Sequence, residues 1–154
     1  MTAKDSDSGF KENPFFDRRE FYCSCGCGYA VVDARLLELL TTFRAHFDTP
    51  IYITSGARCL AHNAKVGGAA PKLDVDHKPI WGTGSQHLWG LAADIVVDGV
   101  SPRTVYELMD EVLEGSCGLG EYRGFTHIDV RKKKARWRGY GVVNYLPSNG
   151  EDMA

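Results

Sequence analysis

The sequence predicts an α+β fold, an antiparallel sheet with helices packed on one face, and three observations carry that expectation. Two segments repeat apolar residues at helical spacing: Leu36, Leu37, Leu40, Phe43 and Phe47 in the first, and Val105, Leu108, Met109, Val112 and Leu113 in the second. Short apolar or alternating runs, IYIT, AADIVV, FTHIDVR and ARWRGY, read as strands. Helices and strands do not alternate in the regular order that a wholly parallel sheet requires.

Taken in order, residues 1–18 are polar and aperiodic and read as a flexible arm, residues 19–145 as the domain, and 146–154 as a tail. Asp33 is placed to cap a helix of about 14 residues, because its carboxylate can accept from the free N–H groups of the first turn. Thr49-Pro50 stops that helix and IYIT follows as a strand. SGARCLAHNAKVGGAA is a turn leading into a short helical or irregular stretch, which Gly67-Gly68 closes. Residues 71–84, PKLDVDHKPIWGTG, hold turn-formers without periodicity and read as an inserted surface loop. Ser101-Pro102 opens the second long helix, with serine as cap and proline at its first position, and Gly115 ends it. A lysine-rich turn joins the last two strands.

With 154 residues, 44% hydrophobic and 25% charged, the chain is long enough to bury one core. A net charge of -2 argues against nucleic acid as a partner, since such binders present a basic face, and the run Arg131-Lys132-Lys133-Lys134 reads as a solvated turn. No run approaches the roughly 18 apolar residues of a membrane helix and MTAKDSDSGFKENP lacks a signal-peptide core. The expectation is therefore a cytoplasmic product as synthesised, a monomer without membrane insertion.

Five cysteines cannot all pair internally. Cys23, Cys25 and Cys27 crowd together while Cys59 and Cys117 stand alone. The every-second-residue spacing fits one face of an extended segment better than the Cys-x2–4-Cys pairs of structural zinc sites, so buried or partly buried free thiols are expected there, with metal binding or a disulfide as the alternative.

The chemistry concentrates in GSQHLWGLAADI, residues 84–95. On one helix, His87 and Asp94 would lie about 10.5 Å apart along the axis, too far to share an ion. A loop carrying His87, a bend at Gly90 and a strand carrying Asp94 can instead turn both inward. Among the other histidines, His46 ends the first helix, where a cation suits the dipole, and His77 sits in the long loop. In FTHIDVR, alternation puts Phe125, His127, Asp129 and Arg131 on one face and Ile128 and Val130 on the other.

SxHxxGxAAD, Ser85 to Asp94, followed by HxD at His127 to Asp129, resembles the zinc D-alanyl-D-alanine carboxypeptidase-like peptidases, which share a fold with the Hedgehog signalling domain. The likeness extends to SGAR at 55–58, HNAKVGGA at 62–69, the EFYCSCGCG segment, GLGEY, and the closing ARW, about residues 14–140. The resemblance implies a Zn2+ ion held by His87, Asp94 and His127 with a fourth position left to water, as in catalytic zinc sites. It implies Arg58 beside the substrate, for a carboxylate or a developing oxyanion, and Ser85 and Gln86 orienting the loop or touching substrate. His62 and Asn63 are left as structural caps.

Two departures from the family pattern leave questions open. Many relatives carry a carboxylate, the general base, three positions before the last ligand, where this chain has Gly124. Asp129 and Glu121 are the two replacements, and Asp129 alternatively orients Arg131 or a ligand histidine. The loop 71–84 stands where relatives have only a few residues, and it is either a lid or substrate wall or a neutral insertion. The implied function is a zinc-activated-water peptidase of bacterial peptidoglycan stems, either a D-Ala-D-Ala carboxypeptidase or a phage-endolysin-type L-Ala-D-Glu endopeptidase reaching the wall through a separate membrane pore. A non-catalytic zinc-binding module of the same fold is the alternative.

Overall fold

The computed structural model describes residues 7–139. Its helices are α1 (Asp7–Lys11), α2 (Ala34–Phe47), α3 (Leu60–Lys65) and α4 (Pro102–Leu113), and its strands are β1 (Ile51–Ser55), β2 (Ala92–Val97), β3 (Gly118–Glu121), β4 (Thr126–Asp129) and β5 (Ala135–Arg138). Single 3-10 turns cover Arg18–Phe21 and Gln86–Trp89. The strands form one sheet in the order β1-β2-β4-β3-β5. Among the described residues, no helix is long and apolar enough to cross a membrane.

The α+β expectation holds, and the helix signals work as their chemistry requires. Asp33 accepts from the Arg35 N–H at the start of α2, and Ser101 accepts from the Thr104 N–H at the start of α4. Asp48, with φ 52°, closes α2 in the left-handed conformation just before Pro50. Leu36, Leu37, Leu40 and Phe43 from α2 and Val105 and Met109 from α4 pack on Ile95, Val97, Leu119 and Ile128 of the sheet. Each large side chain so buried contributes about 1.5–3 kcal/mol.

Two expectations change, and the loop at 71–84 gains detail. The sheet is not wholly antiparallel: β5 does not hairpin onto β4 but pairs parallel with β3, a strand the sequence pattern does not announce. The arm is not loose over residues 7–18, because Phe16 is buried in the core and Phe10 and Phe16 both meet Phe21 edge-on. Loop 71–84 is ordered by its own polar contacts. Leu73 bridges Pro79, and Asp74 Oδ1 accepts from the Asp76 and Lys78 N–H groups at 2.8 and 3.0 Å. The tail and the end of the last expected strand, Tyr140, lie outside the described residues.

The sheet separates two environments. Ala93, Ile95, Thr126, Ile128 and Leu119 face the helices, so alternation turns Asp94, His127 and Asp129 to the other face. Antiparallel register sets Asp94 directly opposite His127.

Candidate metal centre

Three elements bring the ligand types together. His87 comes from the 3-10 turn, Asp94 from β2 and His127 from β4, and all three are buried. The turn reverses at Gly90, whose φ of 70° suits glycine, and a Cβ there would lie 2.3 Å from the Val31 carbonyl oxygen. That bend delivers His87 and Asp94 to one point, as a loop-bend-strand path predicts.

His87 Nε2 lies 3.2 Å from Asp94 Oδ1, and His127 Nδ1 lies 3.0 Å from the same oxygen. For nitrogen and oxygen ligands about 2.0–2.1 Å from a tetrahedral zinc ion, neighbouring donors sit about 3.3–3.4 Å apart, so the observed spacing fits with little rearrangement. The outer nitrogens are engaged as well. His87 Nδ1 meets the Gly56 carbonyl at 2.8 Å, and His127 Nε2 meets Asp129 Oδ2 at 2.8 Å. Both partners are acceptors, so both outer nitrogens carry protons and the inner nitrogens of neutral rings turn lone pairs toward the Asp94 carboxylate. Three acceptors converging on one point call for a cation.

Burial pushes the His127 pKa down, but hydrogen bonds to Asp129 and Asp94 outweigh it and raise the value. For His87 burial wins and the pKa falls. Burial also works against the charged form of Asp94, yet His87 and His127 hold its carboxyl well below the usual range.

The predicted site residues divide clearly. Arg58 is at the centre: its Nη2 donates to Asp94 Oδ2 at 3.2 Å and its Nε to Ser55 Oγ at 3.3 Å. Arg58, Ser85 and Gln86 line a cleft of about 590 Å³ that opens over His87, Asp94 and His127. Gln86 donates to the Gly82 carbonyl at 3.1 Å, which ties the cleft wall to the inserted loop. Asn63, buried, donates to the Ala69 carbonyl and closes the turn before that loop, in keeping with a structural part.

Neither carboxylate offered as the base lines the cleft. Asp129 is fully buried, and its Oδ1 accepts from Gly118 N, Arg131 N and Arg131 Nε at 3.1, 3.1 and 2.8 Å. Its Oδ2 takes His127 and Arg131 Nη2, the latter at 2.7 Å. Glu121 belongs to the opposite face. It pairs with Thr126, alternates with Gly120, and lies 3.7 Å from Arg103 Nε and 3.5 Å from Arg138 Nε.

The pattern alone misses Trp137, Tyr122 and Phe125 as cleft walls. Trp137 packs on the His127 ring at 5.0 Å between centroids and donates to the Tyr122 hydroxyl, while Tyr122 stacks on Phe125 at 4.5 Å. The glycines of GLGEY make room for this arrangement. A Cβ on Gly118 would strike the Asp129 carboxylate at 2.3 Å, and one on Gly120 the Trp137 ring at 2.5 Å. Two glycines at alternate positions of a short segment are the signal that points to this close approach.

The family model for Peptidase M15 matches residues 14–129, a span that contains His87, Asp94, His127 and Asp129. Neither comparison with curated proteins nor comparison with solved structures gives a match.

Proposed function

The chain belongs to the peptidase M15 family, and on that premise we propose that it is a zinc metallopeptidase hydrolysing peptide bonds in the stems of bacterial peptidoglycan. The observation that carries the reading is the convergence of His87 Nε2, Asp94 Oδ1 and His127 Nδ1 at the floor of a cleft, each ring held from behind by an acceptor. Three protein ligands leave a position open, and zinc bound there supplies Lewis-acid polarisation of the scissile carbonyl and an activated water.

The chain's own residues do the rest. Gly56 O fixes the His87 tautomer, and Asp129 fixes that of His127 while Arg131 holds Asp129 in place. Asp129 is thus a positioning residue in this reading, and Glu121 a structural one. Arg58 and Arg131 give the cleft two guanidinium groups, with Arg58 close enough to Asp94 to meet an oxyanion developing beside it. A peptide bearing a carboxylate next to the scissile bond suits that lining. Terminal D-Ala-D-Ala and internal L-Ala-D-Glu bonds both have one.

One observation favours a second reading, a non-catalytic zinc module: among the described residues, Asp94 is the only carboxylate lining the cleft. Mass spectrometry of a muropeptide digest separates the two. The peptidase reading expects new amino termini at one bond, lost in His87→Ala. Zinc-replete protein that leaves every stem intact would establish the module instead.

A further inference from the structure

The cysteines form a cluster that the peptidase site does not use. Cys23 and Cys25 Sγ atoms lie 3.5 Å apart, Cys23 and Cys59 3.9 Å, and Cys25 and Cys59 3.7 Å. The Cys27 sulfur joins them, all four falling within 4.8 Å of one another. Residues 23–27 are therefore not an extended strand. They form a turn, closed by the Gly26 N–H on the Cys23 carbonyl at 3.1 Å, that wraps back toward Cys59.

We propose that Cys23, Cys25, Cys27 and Cys59 bind a second zinc ion as a closed, structural tetrathiolate site. At a Zn–S distance of about 2.3 Å, the edges of a sulfur tetrahedron span about 3.8 Å, and the separations of 3.5, 3.7 and 3.9 Å bracket that length. A disulfide needs sulfurs at about 2.05 Å, and no pair among these approaches it. Backbone N–H groups also point at the sulfurs: Cys59 N at Cys23, His62 N at Cys59 and Tyr29 N at Cys27, each at 3.4 Å. Such donors hold the sulfurs from outside and orient them, as partners of metal ligands do.

Apolar packing explains only Cys23, which is buried. Cys25 and Cys27 are exposed, where bare thiols have no packing role, and Cys117 stands apart beside Ser116. On binding, four thiol protons pass to solvent and all four coordination positions are filled by sulfur, which leaves none for substrate.

The site has a structural task in the fold. It fastens the turn at 23–27 to Cys59, the cap of α3 and the neighbour of Arg58. The same segment is held by the Ala57 N–H on the Phe21 carbonyl, and Gly56 carries the carbonyl that orients His87. The tetrathiolate thus braces the strip that positions Arg58 and His87.

Metal analysis with zinc-edge X-ray absorption on the full chain, purified without chelator, tests this independently of the peptidase reading. Two zinc ions per chain are expected in the wild type. The double variant His87→Ala/His127→Ala retains one, with an all-sulfur shell at about 2.3 Å. Cys27→Ser, at an exposed position, loses the sulfur-bound ion and keeps the other, whereas Cys27→His keeps both. The proposal is overturned if the wild type shows no sulfur-coordinated zinc, or if a disulfide within the four is found in freshly isolated protein. Wild type carrying only the sulfur-bound ion would sink the peptidase site and leave this one standing.

Discussion

Replacing Asp129 by asparagine changes one atom, and its effect follows from the contacts around it. Oδ1 accepts from three donors and Oδ2 from two, so the amide oxygen of the variant stays with Gly118 N, Arg131 N and Arg131 Nε. The amide NH2 then occupies the Oδ2 place, against His127 Nε2 and Arg131 Nη2. Two donors now face each other at both contacts. His127 escapes by moving its proton to Nδ1, the atom directed at Asp94 Oδ1, and that blocks the lone pair a metal would need. Loss of such an outer partner typically costs 10–100-fold in metal affinity, which corresponds to about 1.4–2.7 kcal/mol. The assay is zinc retained per chain after dialysis against a graded chelator series, wild type beside Asp129→Asn, with peptidoglycan cleavage measured on the same samples. A variant that holds zinc at wild-type affinity would refute the tautomer argument. One that holds zinc normally but loses all turnover would return Asp129 to the role of base.

Other outcomes follow from the same contacts. Glu121→Gln is expected to keep turnover within about twofold while lowering the thermal midpoint, since it weakens a buried carboxylate between Arg103 and Arg138 by about 1–3 kcal/mol; a hundredfold fall in kcat at unchanged stability would contradict its position. Gly120→Ala drives a methyl into the Trp137 ring, and a destabilisation of about 1–3 kcal/mol in urea unfolding, with a loss of activity, is expected. In metal-free protein, the hydrogen bonds that hold Asp129 below the ordinary carboxyl value near 4 outweigh its burial. A lowered folded value means stability that is present above about pH 4 and is lost as the pH falls through the folded value, so Asp129→Asn is expected to flatten the acid limb of the stability curve. An unchanged acid limb would show that Asp129 carries no such linkage.

Legibility followed the range of the interaction. Asp33, Ser101 and Pro102 act within one turn, so both long helices could be read with their caps. His87 and Asp94 were readable because one bend at Gly90 and one strand connect them, and alternation alone put His127 and Asp129 on a common face. What failed depended on partners far along the chain. Nothing in GLGE announces a strand, and only its pairing with β4 and β5 turns Glu121 toward Arg103 and brings Trp137 over Gly120. Cys59 looked solitary because its partners lie more than thirty residues away, across a turn that the alternating spacing of Cys23, Cys25 and Cys27 does not reveal. The choice between base and positioning residue for Asp129 likewise rests on burial, since the missing Cβ of Gly118 lets the carboxylate sink beneath the strand.

The proposed peptidase depends on one zinc ion held by His87, Asp94 and His127 in an open site. Anomalous diffraction at the zinc edge, from crystals of protein purified without chelator, tests it most directly. The expected result is a peak in contact with His87 Nε2, Asp94 Oδ1 and His127 Nδ1, absent in His87→Ala. Zinc-replete crystals with no peak there, and with both rings hydrogen-bonded directly to Asp94, would contradict it.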